Sequence, residues 1–340
     1  MHFWYAMRCA PIERELHPEP HGDPRQLHRD SAKQPTGSIA YDRPMSERND
    51  APAHSLLVSA TELHAILQAE AAATEGGSPA PRTRVLDVRW SLAEPAGHRT
   101  YLAGHIPGAV YVDLESELSD HGPATLGRHP LPGGEALTHS ARRWGLRPGD
   151  AVVAYDGGGN LAAARLWWLL RDAGFPNVRL LDGALPAWEA AGLPLEQAEP
   201  TPEPGTVTLL PGHSRVLDLD GVGRFAREHT LLDARAAERY SGETEPMDPV
   251  AGHIPGAKNL PTTGNLDERG HFLPVAALRE RFAAVGASGP EVGFYCGSGI
   301  TASHAAFAYA LTGGDGALFP GSWSQWSNHP ELPVATGSTP

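Results

Sequence analysis

A chain of 340 residues is too long for one ordinary domain and suits two. Its 41% hydrophobic and 20% charged residues allow sizeable cores, and a formal charge of −13 argues against nucleic acid or an anionic membrane as partner. Cys9 and Cys296, far apart, exclude a disulfide framework and a cysteine-built zinc site; no apolar run reaches the ~18 residues of a membrane span.

Residues 1–53 read as a disordered amino-terminal extension. Pro, His, Arg and acidic residues crowd it, no period of 2 or 3.6 persists, and too little apolar surface is present to offset ordering. It lacks the basic start and apolar core of a signal peptide, so a cytoplasmic location is expected. Met45 stands just before ordered-looking sequence, which points to translation starting there; a native peptide from residues 1–44 would exclude this. His17, His21 and His28 fit no defined metal spacing.

From Ser55 onward strands alternate with helices, the pattern of a parallel α/β fold. Ser59 and Glu62 form a capping box for a helix to about Ala73. Val85–Val88, Ala151–Tyr155 and Val178–Leu181 read as strands, and Ala162–Ala173 as a helix. The order then repeats. Asp233 in Leu-Asp-Ala-Arg lies 146 residues after Asp87 in Leu-Asp-Val-Arg. Ala-Gly-His-Ile-Pro-Gly-Ala occurs twice, with Gly252 148 residues after Gly104. Cys296 follows Asp156 by 140, and Gly321 follows Gly183 by 138. Nearly constant offsets mean a duplicated domain. The expected organisation is a first, catalytically inactive domain over 54–196, a linker over 197–212 containing Pro200, Pro202 and Pro204, and a second, catalytic domain over 213–335.

Duplication separates scaffold from chemistry. Residues present in both copies, His105 with His253, Asp87 with Asp233 and Arg89 with Arg235, are expected to be structural. Cys296 is present in one copy only. Glu291–Tyr295 reads as a central strand and Ala302–Leu311 as a helix, with Cys296-Gly297-Ser298-Gly299-Ile300-Thr301 between them. Two glycines allow a curl whose N–H groups point inward, and the helix start adds its positive end. A thiol in that cradle ionises more readily than a free one, and the end of a parallel strand is where such sheets place ligands.

Cys296 to Ala302, Cys-Gly-Ser-Gly-Ile-Thr-Ala, resembles the active loop of the 3-mercaptopyruvate sulfurtransferases within the two-domain rhodanese family. The doubled Gly-His-Ile-Pro-Gly-Ala and the Asp in the first copy extend the likeness from about Ser55 to Pro333. It implies two tandem rhodanese-like domains, each a parallel sheet flanked by helices on both faces, with the site in the cleft between them. It also implies that Cys296 takes sulfur from a small anionic donor as a persulfide and passes it to cyanide, a thiol or a reduced protein thiol, with no metal or organic cofactor. By the same resemblance Gly297, Gly299 and Ile300 help to cradle the donor. Ser298 and Thr301 offer hydroxyls to the sulfur anion, or cap the helix. Arg239 matches the arginine that holds the donor carboxylate. A second arginine usual in relatives is missing from Glu245-Pro246-Met247-Asp248. Glu115 and His129 fall on the acidic residue and histidine of a proposed Ser-His-Asp relay, with Asp113 as the alternative acid, and Trp90 on a tryptophan lining the cleft.

Three alternatives frame the test. Thiosulfate is the other donor expected on the same site, although the basic residues usual in thiosulfate enzymes are absent from this loop. A dual-specificity phosphatase needs Cys-x5-Arg, and Ala302 stands at that arginine position. A persulfide-binding module without activity predicts a decayed loop, and decay is confined to the first copy.

Overall fold

The computed structural model describes residues 56–74, 81–90 and 97–340. The extension, Met45, and the histidines at 17, 21 and 28 lie outside them. Five parallel strands, β1 (Leu57–Val58), β2 (Thr83–Asp87), β3 (Val110–Tyr111), β4 (Ala151–Tyr155) and β5 (Val178–Leu181), form one sheet in the order β1-β5-β4-β2-β3. A second sheet takes β6 (Thr230–Asp233), β7 (Lys258–Asn259), β8 (Val292–Tyr295) and β9 (Ala317–Leu318) in the order β7-β6-β8-β9. A parallel bridge from Val216 to Leu318 continues that sheet past β9, so both copies share one strand order.

Strand alternation explains the helix layers. In the first copy Val85, Val153 and Leu181 face helices α1 (Ala60–Thr74) and α6 (Ala184–Ala190), meeting Leu63 and Trp188. Leu86, Ala154 and Leu180 face the other way, onto Leu137 and Ala141 of α4 (Gly134–Arg143) and Trp168 of α5 (Ala163–Asp172). The short α2 (Gly97–Ala103) and α3 (Leu114–Glu117) bracket β3. In the second copy, Leu231 and Tyr295 meet α7 (Leu219–Glu228) and α11 (Ser322–Trp326), while Phe294 meets α9 (Val275–Ala284) and α10 (Ile300–Leu311). Short α8 (Ala237–Ser241) follows β6. The expected Ser59 cap is present: Ser59 Oγ accepts the Glu62 N–H at 3.2 Å.

The doubled residues behave as scaffold. Arg89 closes on Asp87 and Arg235 on Asp233, each pair buried and also bonded to the Gly104 or Gly252 carbonyl. His105 stacks on Tyr101 at 3.9 Å and bonds its carbonyl through Nδ1; His253 does the same with Tyr240 at 3.7 Å. The proline-containing segment after the first copy packs against it: Val207 and Leu209 are buried, and the Gly205 N–H donates to the Arg142 carbonyl at 2.7 Å.

The two copies share one apolar core. Trp167 of α5 meets Phe307 of α10 edge-on at 4.8 Å. Each of these helices follows its own copy's loop, so both loops reach the domain boundary. The first loop has no thiol to hold. There the Asp156 carboxylate accepts N–H groups from Gly158, Asn160, Ala162 and Ala163 at 2.9–3.4 Å, and burial raises its pKa to about 6. Asp156→Ala would strip four N–H donors, three of them buried, of their acceptor, and we expect a loss of about 2–4 kcal/mol in urea unfolding. An unchanged midpoint would mean that water replaces the carboxylate without cost.

Candidate active site

Strand β8 ends at Tyr295, and the chain curls through Cys296–Gly299 before α10 begins. Cys296 is 2% exposed. Its Sγ accepts the Gly299 N–H at 3.1 Å. Gly299 sits at φ +85°, and a Cβ there would stand 2.5 Å from the Pro320 carbonyl oxygen, so glycine is required. This residue is also the helix N-cap, with no side-chain cap bond; the alternative in which Ser298 or Thr301 caps the helix is therefore corrected. Thr301 lies in the first turn of α10. Ile300 opens α10 with its side chain buried in the core.

The loop is held from behind by α11. The Cys296 N–H donates to Ser322 Oγ at 3.1 Å, and the carbonyls of Cys296 and Gly297 accept from the Trp323 and Ser324 N–H groups. Ser322 adopts φ +55°, as Ala184 adopts φ +54° in the first copy, and its hydroxyl also donates to the Phe319 carbonyl. The bend is common to both copies; the hydroxyl belongs to the cysteine copy.

The first domain supplies the other wall. His129 Nδ1 is 2.7 Å from Ser298 Oγ, and its Nε2 is 3.3 Å from Glu115. Trp90 donates its indole N–H to Glu115 Oε1 at 2.8 Å and meets the His129 ring edge-on at 5.7 Å. Trp90 thus holds the carboxylate and ring in place. Asp113 instead caps α3 through the Ser116 N–H, which settles Glu115 as the acid beside His129. Burial lowers the His129 pKa below its ordinary 6.5; Arg165 and Arg128 push the same way, and Glu115 opposes them. The ring is therefore neutral at neutral pH. A carboxylate only accepts, so Nε2 carries the proton and Nδ1 is left to accept the Ser298 O–H.

Two arginines flank the loop. A Cβ on Gly297 would stand 3.0 Å from Arg128 Nη2 and 3.4 Å from Arg239 Nη1. Arg239 donates to Glu245 at 2.6 Å and to Asp248 at 3.3 Å. Arg128, from the first domain, bonds Asp248 across the boundary. Arg128, missed in the sequence, occupies the region left short of an arginine by Asp248. The repeat comparison does not single it out, because Arg269 and His271 stand 141 and 142 residues after Arg128 and His129. Among the described residues no group of three or more His, Cys, Asp or Glu is placed to hold a metal, and no helix is long and apolar enough to cross a membrane.

A buried sulfur in a glycine curl, duplicated scaffold and cross-domain walls agree with what known proteins show. Residues 59–191 and 222–329 match the rhodanese-like domain. The chain belongs to the rhodanese family. A Mycobacterium tuberculosis rhodanese relative, SseB, named as a thiosulfate sulfurtransferase, is 47% identical over 289 residues, covering 83% of this chain and 98% of its own. The Escherichia coli 3-mercaptopyruvate sulfurtransferase is 33% identical over 265 residues, covering 75% and 92%. The solved 3-mercaptopyruvate sulfurtransferase from Leishmania major superposes with a TM-score of 0.72 at 27% identity, covering 84% of this chain and 77% of that one.

Proposed function

We propose that this rhodanese-family sulfurtransferase draws sulfur from 3-mercaptopyruvate and carries it as a persulfide on Cys296. The observation that supports this donor over thiosulfate is the Ser298–His129–Glu115 chain, a device for moving a proton. Cleaving the C–S bond of mercaptopyruvate leaves an enolate carbon that needs a proton. Sulfite leaves thiosulfate without one.

The step balances as follows. The Cys296 thiolate attacks the donor sulfur; an S–S bond forms, the C–S bond breaks, and its electron pair passes to the enolate. The donor's thiol proton goes to Ser298 Oγ as the serine proton passes to His129 Nδ1, and it returns to the enolate carbon to give pyruvate. The Gly299 N–H donates to the Cys296 sulfur throughout. Cyanide or a thiolate then takes the outer sulfur and restores the Cys296 thiolate.

Arg239 and Arg128 receive the donor carboxylate in place of Asp248. Arg239→Ala is expected to raise KM about tenfold or more with little change in kcat, because a charge-assisted pair is lost in ground and transition state alike. Asp248→Asn, which releases Arg128 and leaves Arg239 held by Glu245 alone, is expected to lower KM. An unchanged KM in both variants would remove the arginines from donor binding. The donor assignment is tested by thiocyanate formation from cyanide with each donor in turn. A higher kcat/KM for mercaptopyruvate supports it. A higher value for thiosulfate reverses it and leaves the persulfide intact, whereas inertness toward both leaves only a binding module.

A further inference from the structure

Arg165 stands out among the charged groups around the loop. It lies in α5 of the first domain and is 0% exposed. Its Nε donates to the Leu118 carbonyl, and Nη2 donates to the carbonyls of His129 and Pro130. Nη1 is buried with no hydrogen-bond partner. That nitrogen would lie 3.2 Å from a Cβ on Gly299, the residue whose N–H reaches the Cys296 sulfur. Among the described residues no carboxylate pairs with Arg165.

The arginines around it already have carboxylate partners. Arg128, Arg239 and Arg235 share Asp248, Glu245 and Asp233, and His129 faces Glu115. Burial pulls the Arg165 pKa down only to about 10, so it remains a cation at neutral pH, and the sulfur of Cys296 is the anionic site that favours that charge. A buried, unpaired cation is costly.

The duplication sharpens the point. Arg165 and His304 each stand seven residues before the last residue of their helices, Asp172 and Leu311. They are the same position in the two copies. His304 bonds Thr262 at 2.7 Å, and burial pushes its pKa down to about 3, so it is neutral. The cation is thus found only on the helix that faces the cysteine loop.

We propose that Arg165 is the fixed counter-charge of the Cys296 sulfur, supplied by the domain that has no cysteine of its own. The inference rests on Cys296 being the sulfur carrier. Thiolate and persulfide each place one negative charge at this loop, so one buried cation serves both halves of the cycle. The carbonyl bonds to His129 and Pro130 fix the guanidinium while bracing the relay histidine.

Arg165→Met removes the charge and Arg165→Lys keeps it. The readout is the pH dependence of iodoacetamide alkylation, followed by mass spectrometry on the Cys296 peptide. In the methionine variant the midpoint is expected to rise by about one unit or more, and the lysine variant to recover most of the shift. Coincidence of methionine variant and wild type would overturn the proposal. So would a lysine variant as impaired as the methionine one, since only the carbonyl bracing would then matter. Should the 165 variants fail to fold, Cys296→Ser supplies the test: removal of the anion lowers the urea midpoint at alkaline pH, and the deficit fades in acid. Equal stability at every pH would overturn the proposal. Persulfide formation by the wild type with no effect at position 165 would leave the transferase reading standing.

Discussion

Cys296→Ser takes sulfur transfer to the uncatalysed background with either donor, although the chain still folds. Serine fits the cradle: the Gly299 N–H finds an oxygen in place of sulfur, and the Cys296 backbone keeps its bonds to Ser322 and Trp323. A hydroxyl at this position cannot form the sulfur–sulfur bond on which both half-reactions depend. Steady-state thiocyanate formation checks the loss, and circular dichroism checks the fold. Residual turnover within tenfold of wild type would place the carrier elsewhere.

His129→Asn separates the two donors. With mercaptopyruvate the variant loses the base that accepts the Ser298 proton, and kcat is expected to fall about 10²–10⁴-fold. With thiosulfate no proton crosses the relay, and kcat stays within a few-fold. The pH profile adds a sign. His129 works as the neutral ring, so activity with mercaptopyruvate falls as pH drops through its pKa. Burial has moved that pKa below 6.5, which places the acid limb below the ordinary histidine range. The limb disappears in His129→Asn. Equal losses with both donors would recast His129 as a support for the loop.

Local signals in the sequence identify the strands, the Ser59 cap and the duplicated His and Asp-Arg positions because each depends on neighbours in the chain. Cys296 is legible for a similar reason: strand, glycine curl and helix lie in one continuous run. Glu115 and His129 came from resemblance, since the meeting of His129 with Ser298 across 169 residues depends on how the two domains pack. Arg128 and Arg165 illustrate the same limit. Nothing local distinguishes an arginine in Ala-Arg-Leu-Trp-Trp from a surface one; its helix must first be laid against α10. The duplication still held a clue, because His304 at the matching position cannot carry that charge. The missing arginine at Asp248 has a spatial answer as well, in a guanidinium arriving from the other domain.

The most direct measurement is the mass of the protein after incubation with mercaptopyruvate and no acceptor. The account predicts a gain of one sulfur atom, located on the Cys296 peptide and released stoichiometrically as thiocyanate when cyanide is added. No gain, or sulfur held at Cys9 instead, would contradict it.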